Sequence, residues 1–235
     1  MKTSIAQAVR RHLTQVKAGR ESDGTLRNRA PRACRRSFIM TLTLIALNAF
    51  VFLLEAAGDS RLVEQFALWP PRTDGGAAFH VWQLVTYSTL HASLTHLVFN
   101  MWGLYLFGRP IERTLGAART GALYGASVLA GGLTQTAIAW LAPARAHPTV
   151  GASAGVFGVL LAYALLFPKQ RVVLLFPPIP MPAWMFATGY AALELVLGLS
   201  GSAPGIAHFA HLGGMAGALA LIVHWSRHAP RDQLD

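Results

Sequence analysis

The stretch VGASAGVFGVLLAYALLF, Val150 to Phe167, holds 18 residues without a charge and carries a serine flanked by alanine and glycine near its start. In a soluble protein such a run would be a buried helix. In lipid it is most of a membrane span, because about 20 apolar residues cross a hydrocarbon core of roughly 30 Å. Composition decides between the two: the 235 residues are 53% hydrophobic and only 13% charged, about half the charge content of an ordinary soluble domain.

Five further runs of the same kind lie near Ser37–Ala56, Ser93–Ile111, Ala117–Leu141, Met181–Leu199 and Ile206–Trp225. They predict an all-α membrane protein with six transmembrane helices. Residues 37–227 form its membrane domain, between a tail over 1–36 and a short one over 228–235. The first run is too long and too late in the chain for a cleaved signal peptide. Cys34 is alone, so no internal disulfide forms and the fold rests on packing. Residues 58–91, between the first two spans, mix Pro70, Pro71, Gly75 and Gly76 with Phe66, Trp69, Phe79 and Trp82. So aromatic a loop is expected to lie partly in the outer interface, not to hang as free linker.

The formal charge of +10 could be read as a nucleic-acid footprint, but its position argues otherwise. Residues 1–36 hold ten basic and two acidic side chains, +8 of that total. With the N-terminus inside, 17 of the 20 basic residues fall on the cytoplasmic side, leaving Arg61, Arg72 and Arg145 outside. The positive-inside rule then places both termini in the cytoplasm and makes the bilayer, not nucleic acid, the partner. Ile5, Val9, Leu13 and Val16 recur at helical spacing, so the tail is either a solvated segment or a short interfacial helix.

In this orientation the second, fourth and sixth spans all begin at the outer face. His96 and Asn100 lie in the first two turns of the second, Ser153 in the first turn of the fourth and His211 in the second turn of the sixth. Polar side chains inside a bilayer are costly and usually face a bundle interior, and these share one layer. His96 and Asn100, four apart, stand on one helix face. Gly151, Ala152, Ala154 and Gly155 leave little bulk around Ser153, while Gly213 and Gly217 form a small-residue seam beneath His211. Packing of the fourth and sixth spans through these seams would bring His211 to the Ser153 hydroxyl. A neutral imidazole can then take its proton, with the Ser153 N–H, His96 and Asn100 as available donors to an oxyanion. Two bland readings stand beside this one: a serine that only lets helices pack, and a His96–Asn100 pair that only ties them together. His208, three residues before His211, is the rival base. Glu194 is the acid well inside a span, read as bonding a neighbouring helix instead of orienting His211.

These residues resemble the rhomboids, intramembrane serine proteases with a six-helix core, over about Ser37 to Trp225. HASLTHLVFNMWGLYLFG is similar to the family's second helix, with His91, His96 and Asn100, and ERTLG to its end. VGASAGVFG resembles the GxSx nucleophile motif, AHLGGMAG the AHxxG motif of the last helix, and PPIPMPAW the entry to the fifth. The resemblance implies a Ser153–His211 dyad, oxyanion stabilisation by His96 and Asn100, and Phe157 stacked on the histidine. It departs in two places: Ala154 where many members have glycine, and Gln83 after Trp82 where many have arginine.

The expected activity is endopeptidase cleavage of the transmembrane segments of other membrane proteins, in a bacterial inner membrane. A polar cavity open to the outer side would admit water, and no cofactor or metal is expected. The alternatives are a proteolytically inactive relative that binds membrane clients, against which both Ser153 and His211 count, and a small-solute transporter, which would show paired inverted repeats.

Overall fold

A computed structural model describes residues 38–58, 61–71, 77–143, 147–173, 178–203 and 205–228. The basic tail, Cys34 and the segment from 229 onward lie outside these. The described chain is mostly helical and forms a bundle of six apolar helical segments. The first, α1 (Ile39–Ala56), turns most of its surface outward, with Phe50 59% and Leu53 67% exposed. Side chains that apolar belong against lipid, not water. Among the described residues it is, with Ala183–Ser200 and His208–Arg227, one of three helices long and apolar enough to cross a membrane by length and composition.

The first loop carries α2 (Arg61–Phe66), α3 (Gln83–Thr86) and a 3-10 turn at Tyr87–Thr89. The second span follows as α4 (Leu94–Gly103), a π-turn over Leu104–Gly108 and α5 (Arg109–Leu115). Ser93 caps its start by accepting the His96 N–H at 3.1 Å, which uses one of the N–H groups left without an intrahelical partner. Pro110 would break a regular helix, since it lacks an N–H and its ring crowds the preceding turn. The π-turn directly before it accommodates that change, so the helix runs on past the expected stop at Ile111. Gly116, at φ +85°, ends α5 in a conformation that favours glycine and sends the chain into α6 (Ala117–Leu141).

The fourth span is α7 (Ser153–Leu166), and ten of its 14 residues are buried. At about 1.5 Å per residue it is about 21 Å long, short of a hydrocarbon core of roughly 30 Å. A central helix of that length leaves at least one of its ends inside the core. A short antiparallel pair follows, β1 (Arg171–Val173) with β2 (Pro180–Pro182), where the sequence reads only as a loop. Then come α8 (Ala183–Ser200) and α9 (His208–Arg227). Helix α9 packs most extensively on α6 and next on α7.

The seams differ from the expected ones. A Cβ at Gly213 would strike Thr134, and one at Gly217 would lie 2.6 Å from Ala130 Cβ, so these two glycines face α6 and not the serine helix. The approach to α7 is made by Gly214, where a Cβ would overlap the Ala154 carbonyl oxygen. Ala154 is fully buried, and its methyl lies over Gly131 of α6, where a Cβ would come within 2.6 Å of it, so alanine in place of glycine after the serine is accommodated by Gly131.

Two polar side chains fix the rest of the frame. Glu112, 3% exposed, accepts the Met40 and Thr41 N–H groups at 2.8 Å each and the Thr41 hydroxyl at 2.7 Å. It thereby places a carboxylate at the first turn of α1, where the helix dipole favours it. Gln83, fully buried, joins the first loop to itself. Its Oε1 accepts from the N–H of Trp69 (3.2 Å) and of His80 (3.1 Å), and its Nε2 donates to the carbonyls of Gln65 (3.3 Å) and Ala78 (3.2 Å). The departure at this position is thus an anchor of the loop.

Two outcomes follow for stability. Gly214→Ala should lower unfolding stability in detergent by about 1–3 kcal/mol through overpacking. Gly189→Ala, on α8 with open space at its Cβ, should be neutral or stabilise by up to about 1 kcal/mol from helix propensity. Equal midpoints for the two would contradict the packing described. Gln83→Leu keeps the volume but leaves buried backbone groups unpaired, at a cost of about 1–3 kcal/mol each. It should speed proteolytic nicking within residues 61–90 while leaving the helical circular dichroism intact.

Candidate active site

Ser153 is held by what precedes it. The backbone of Thr149 exchanges hydrogen bonds with Leu68 in the first loop, at 3.0 and 2.9 Å. The Gly151 N–H donates to the Tyr87 carbonyl at 2.9 Å, and the Tyr87 hydroxyl donates to the Val128 carbonyl of α6 at 2.9 Å. Gly151 sits at φ +125°, and a Cβ there would lie 2.6 Å from the His96 ring. Only glycine meets both demands. The helix begins three residues later than its sequence pattern reads, at Ser153 instead of Val150, because this conformation is not helical.

His211 lies one turn into α9, and its Nε2 is 2.7 Å from Ser153 Oγ, across 58 residues of sequence. The Phe157 ring stacks on its imidazole, centroids 4.5 Å apart and planes within 3°. This fixes the ring plane from the serine helix itself. A neutral imidazole so placed can take the hydroxyl proton while its other nitrogen stays protonated.

That other nitrogen, Nδ1, is 2.9 Å from Glu194 Oε2 on α8. The N–H is not aligned on the oxygen as a hydrogen bond, and the nitrogen is buried with no other partner among the described residues. The same oxygen is 2.6 Å from His208 Nδ1. Glu194 therefore does tie a neighbouring helix, as its position in the sequence suggests, but through a carboxylate that also faces His211. His208 is occupied by Glu194 on one side and lies 3.3 Å from the Ala203 carbonyl on the other, while His211 holds the contact with the serine.

His96 and Asn100 stand where the helix spacing places them. His96 is half-buried, its ring over Gly151. Asn100 is buried and donates one amide hydrogen back to the His96 carbonyl at 3.0 Å, which leaves the second hydrogen for another acceptor. His91 lies just before α4 and supports the site from behind. Its N–H donates to Glu55 at 3.1 Å, and its Nε2 is 3.5 Å from the Ala152 N–H. Burial, and then the neighbouring His96 ring, push its pKa down to about 4. It is thus neutral at physiological pH and able to accept that N–H.

Glu194, His208 and His211 bring ligand-type atoms within 4.8 Å of one another, a set that sequence spacing did not reveal. Those atoms face each other at hydrogen-bond and ion-pair distances, which accounts for the cluster without an ion. A cavity of about 640 Å³ adjoins His208, lined also by Gln135, Ile138, His147, Leu197 and Phe209. Neither Ser153 nor His211 lines it. Ser153 and His96 keep part of their own surface open instead.

Comparison with known proteins points to one family. The family model of the rhomboid domain matches residues 78–228, from the first loop through the last helix. Among the similar curated proteins is "Rhomboid protein 1, mitochondrial" of Saccharomyces cerevisiae, 38% identical over 96 residues, which are 40% of this chain and 28% of that protein. "Rhomboid protease GlpG homolog" of Cronobacter sakazakii is 33% identical over 128 residues, 54% of this chain and 43% of that protein. "Rhomboid protease GluP" of Bacillus subtilis is 28% identical over 180 residues, 75% of this chain and 33% of that protein. The chain spans less than half the length of each.

Proposed function

This chain belongs to the rhomboid family, and from that premise we propose that it is an intramembrane serine endopeptidase cutting transmembrane segments of other membrane proteins. The observation that carries the proposal is the 2.7 Å contact between His211 Nε2 and Ser153 Oγ, made between two helices inside an apolar bundle. In this reading Ser153 attacks the scissile carbonyl as its proton passes to His211 Nε2. The oxyanion is met by the Ser153 N–H, His96 and Asn100. His211 returns the proton to the departing amine, and water then releases the acyl group by the same path.

A helical substrate hides its carbonyls in hydrogen bonds, so the favoured substrates are those whose spans unwind easily near the outer face. The short α7, with Ser153 in its first turn, supports this, since a helix of about 21 Å leaves at least one of its ends inside a core of roughly 30 Å. Arg109, Arg113, Arg119, Lys169, Arg171 and Arg227 cluster at the ends of the spans away from Ser153. This supports placing those ends, and both termini, on the cytoplasmic side of a bacterial inner membrane.

The test is cleavage of a transmembrane reporter by the purified protein in detergent. Ser153→Ala and His211→Ala should each reduce turnover to background with the fold retained. Asn100→Ala and His96→Ala should each lower kcat by roughly 10²–10³-fold, the range for loss of an oxyanion donor. Undiminished cleavage by the Ser153→Ala protein would sink the proposal.

A further inference from the structure

The buried Nδ1 of His211 raises a question that the Ser153–His211 pair does not answer. When His211 takes the serine proton its ring becomes a cation, in a region where an unpaired charge is expensive. The carboxylate within reach is Glu194, with Oε2 2.9 Å from Nδ1 and a side chain at least as buried as the histidine's. The contact is misaligned in the resting protein, and catalytic hydrogen bonds often straighten only in the substrate or transition-state complex. The same oxygen is held at 2.6 Å by His208, which restrains the carboxylate beside its target.

Three helices converge here: α7 supplies the serine and Phe157, α9 the two histidines, and α8 the acid. We infer that Glu194 is a positioning residue for His211. It holds the imidazole in the tautomer that presents Nε2 to Ser153 and compensates the imidazolium formed during acylation, with His208 buttressing its carboxylate. This deepens the Ser153–His211 reading and rests on it. The step moves one proton from Oγ to Nε2 and back. Glu194 stays ionised throughout and accepts a hydrogen bond from Nδ1–H, as the buried aspartate of a serine triad does.

Glu194→Gln tests this, because it keeps the shape and the helix tie while removing the charge. Measured on the transmembrane reporter, kcat should fall about 10²-fold, within the range for a compromised general base, while KM stays within about twofold. Reaction of Ser153 with a fluorophosphonate should slow in parallel. Glu194→Asp, which retains the charge, should recover part of the lost kcat. A fall in kcat of less than about tenfold, or a loss carried by KM, would overturn the inference.

Should the Gln protein fail to fold, the wild type still decides. With ¹⁵N-histidine and a phosphonyl adduct on Ser153, His211 should appear doubly protonated with a far-downfield Nδ1–H. A freely exchanging Nδ1–H would count against Glu194. The Ser153→Ala and His211→Ala proteins separate the two levels. If both are inactive while Glu194→Gln retains its kcat, only the role of Glu194 falls. If either cleaves like the wild type, the protease reading falls first.

Discussion

Helices immersed in lipid gain little from covering apolar surface, because hydrocarbon solvates that surface as well as a neighbour does. Their separation is set by how closely backbones can approach, and in this bundle α9 sets it. Gly213 and Gly217 let it lie on α6, and Gly214 lets it meet the Ala154 carbonyl on α7. That last contact, three residues after His211 and one after Ser153, fixes how far the imidazole stands from the hydroxyl. Phe157 and Glu194 then constrain the ring from two more directions. The polar geometry at the site is thus a consequence of the absence of side chains beside it.

Three buried side chains with long polar ends show how a membrane fold uses such groups. Glu112 gathers the N–H groups at one end of α1, Gln83 ties together the turns of a surface loop, and Glu194 links two histidines on another helix. Each meets more than one partner, as expected where water cannot substitute. The loop held by Gln83 is the one that reaches Thr149 and Gly151 through Leu68 and Tyr87. Order in that loop is therefore order at the segment leading into Ser153.

Much of this is legible in the sequence. The six spans show because apolar runs of that length, nearly free of charge, are rare outside a bilayer. His96, Asn100, Ser153 and His211 show because polar groups at one depth stand out against those runs. Phe157 is suggested only by the family resemblance. What the sequence does not supply is rotation about helix axes. At roughly 100° per residue, Gly214 sits within about 60° of His211, whereas Gly213 lies about 200° round the helix. The face toward α7 is therefore readable in principle, but the i, i+4 glycine pair draws the eye to the seam that meets α6. Glu194 is visible as an acid, yet whether it meets one histidine or two depends on how α8 is turned. Helix ends are lost to local chemistry. The π-turn carries the second span past Pro110, and Gly151 delays the start of the fourth.

The clamp made by Glu112 has a mechanical consequence. Its carboxylate takes three hydrogen bonds from two consecutive residues at the start of α1, 72 and 71 positions away along the chain. A pull applied to the chain ahead of Met40 would not peel these bonds one at a time, because all three converge on a single side chain and share the load. The force would pass from the first helix directly into the end of the second. Extraction of α1 from the bilayer would then begin by straining that junction, and the helix pair would resist as a unit before either member moved alone.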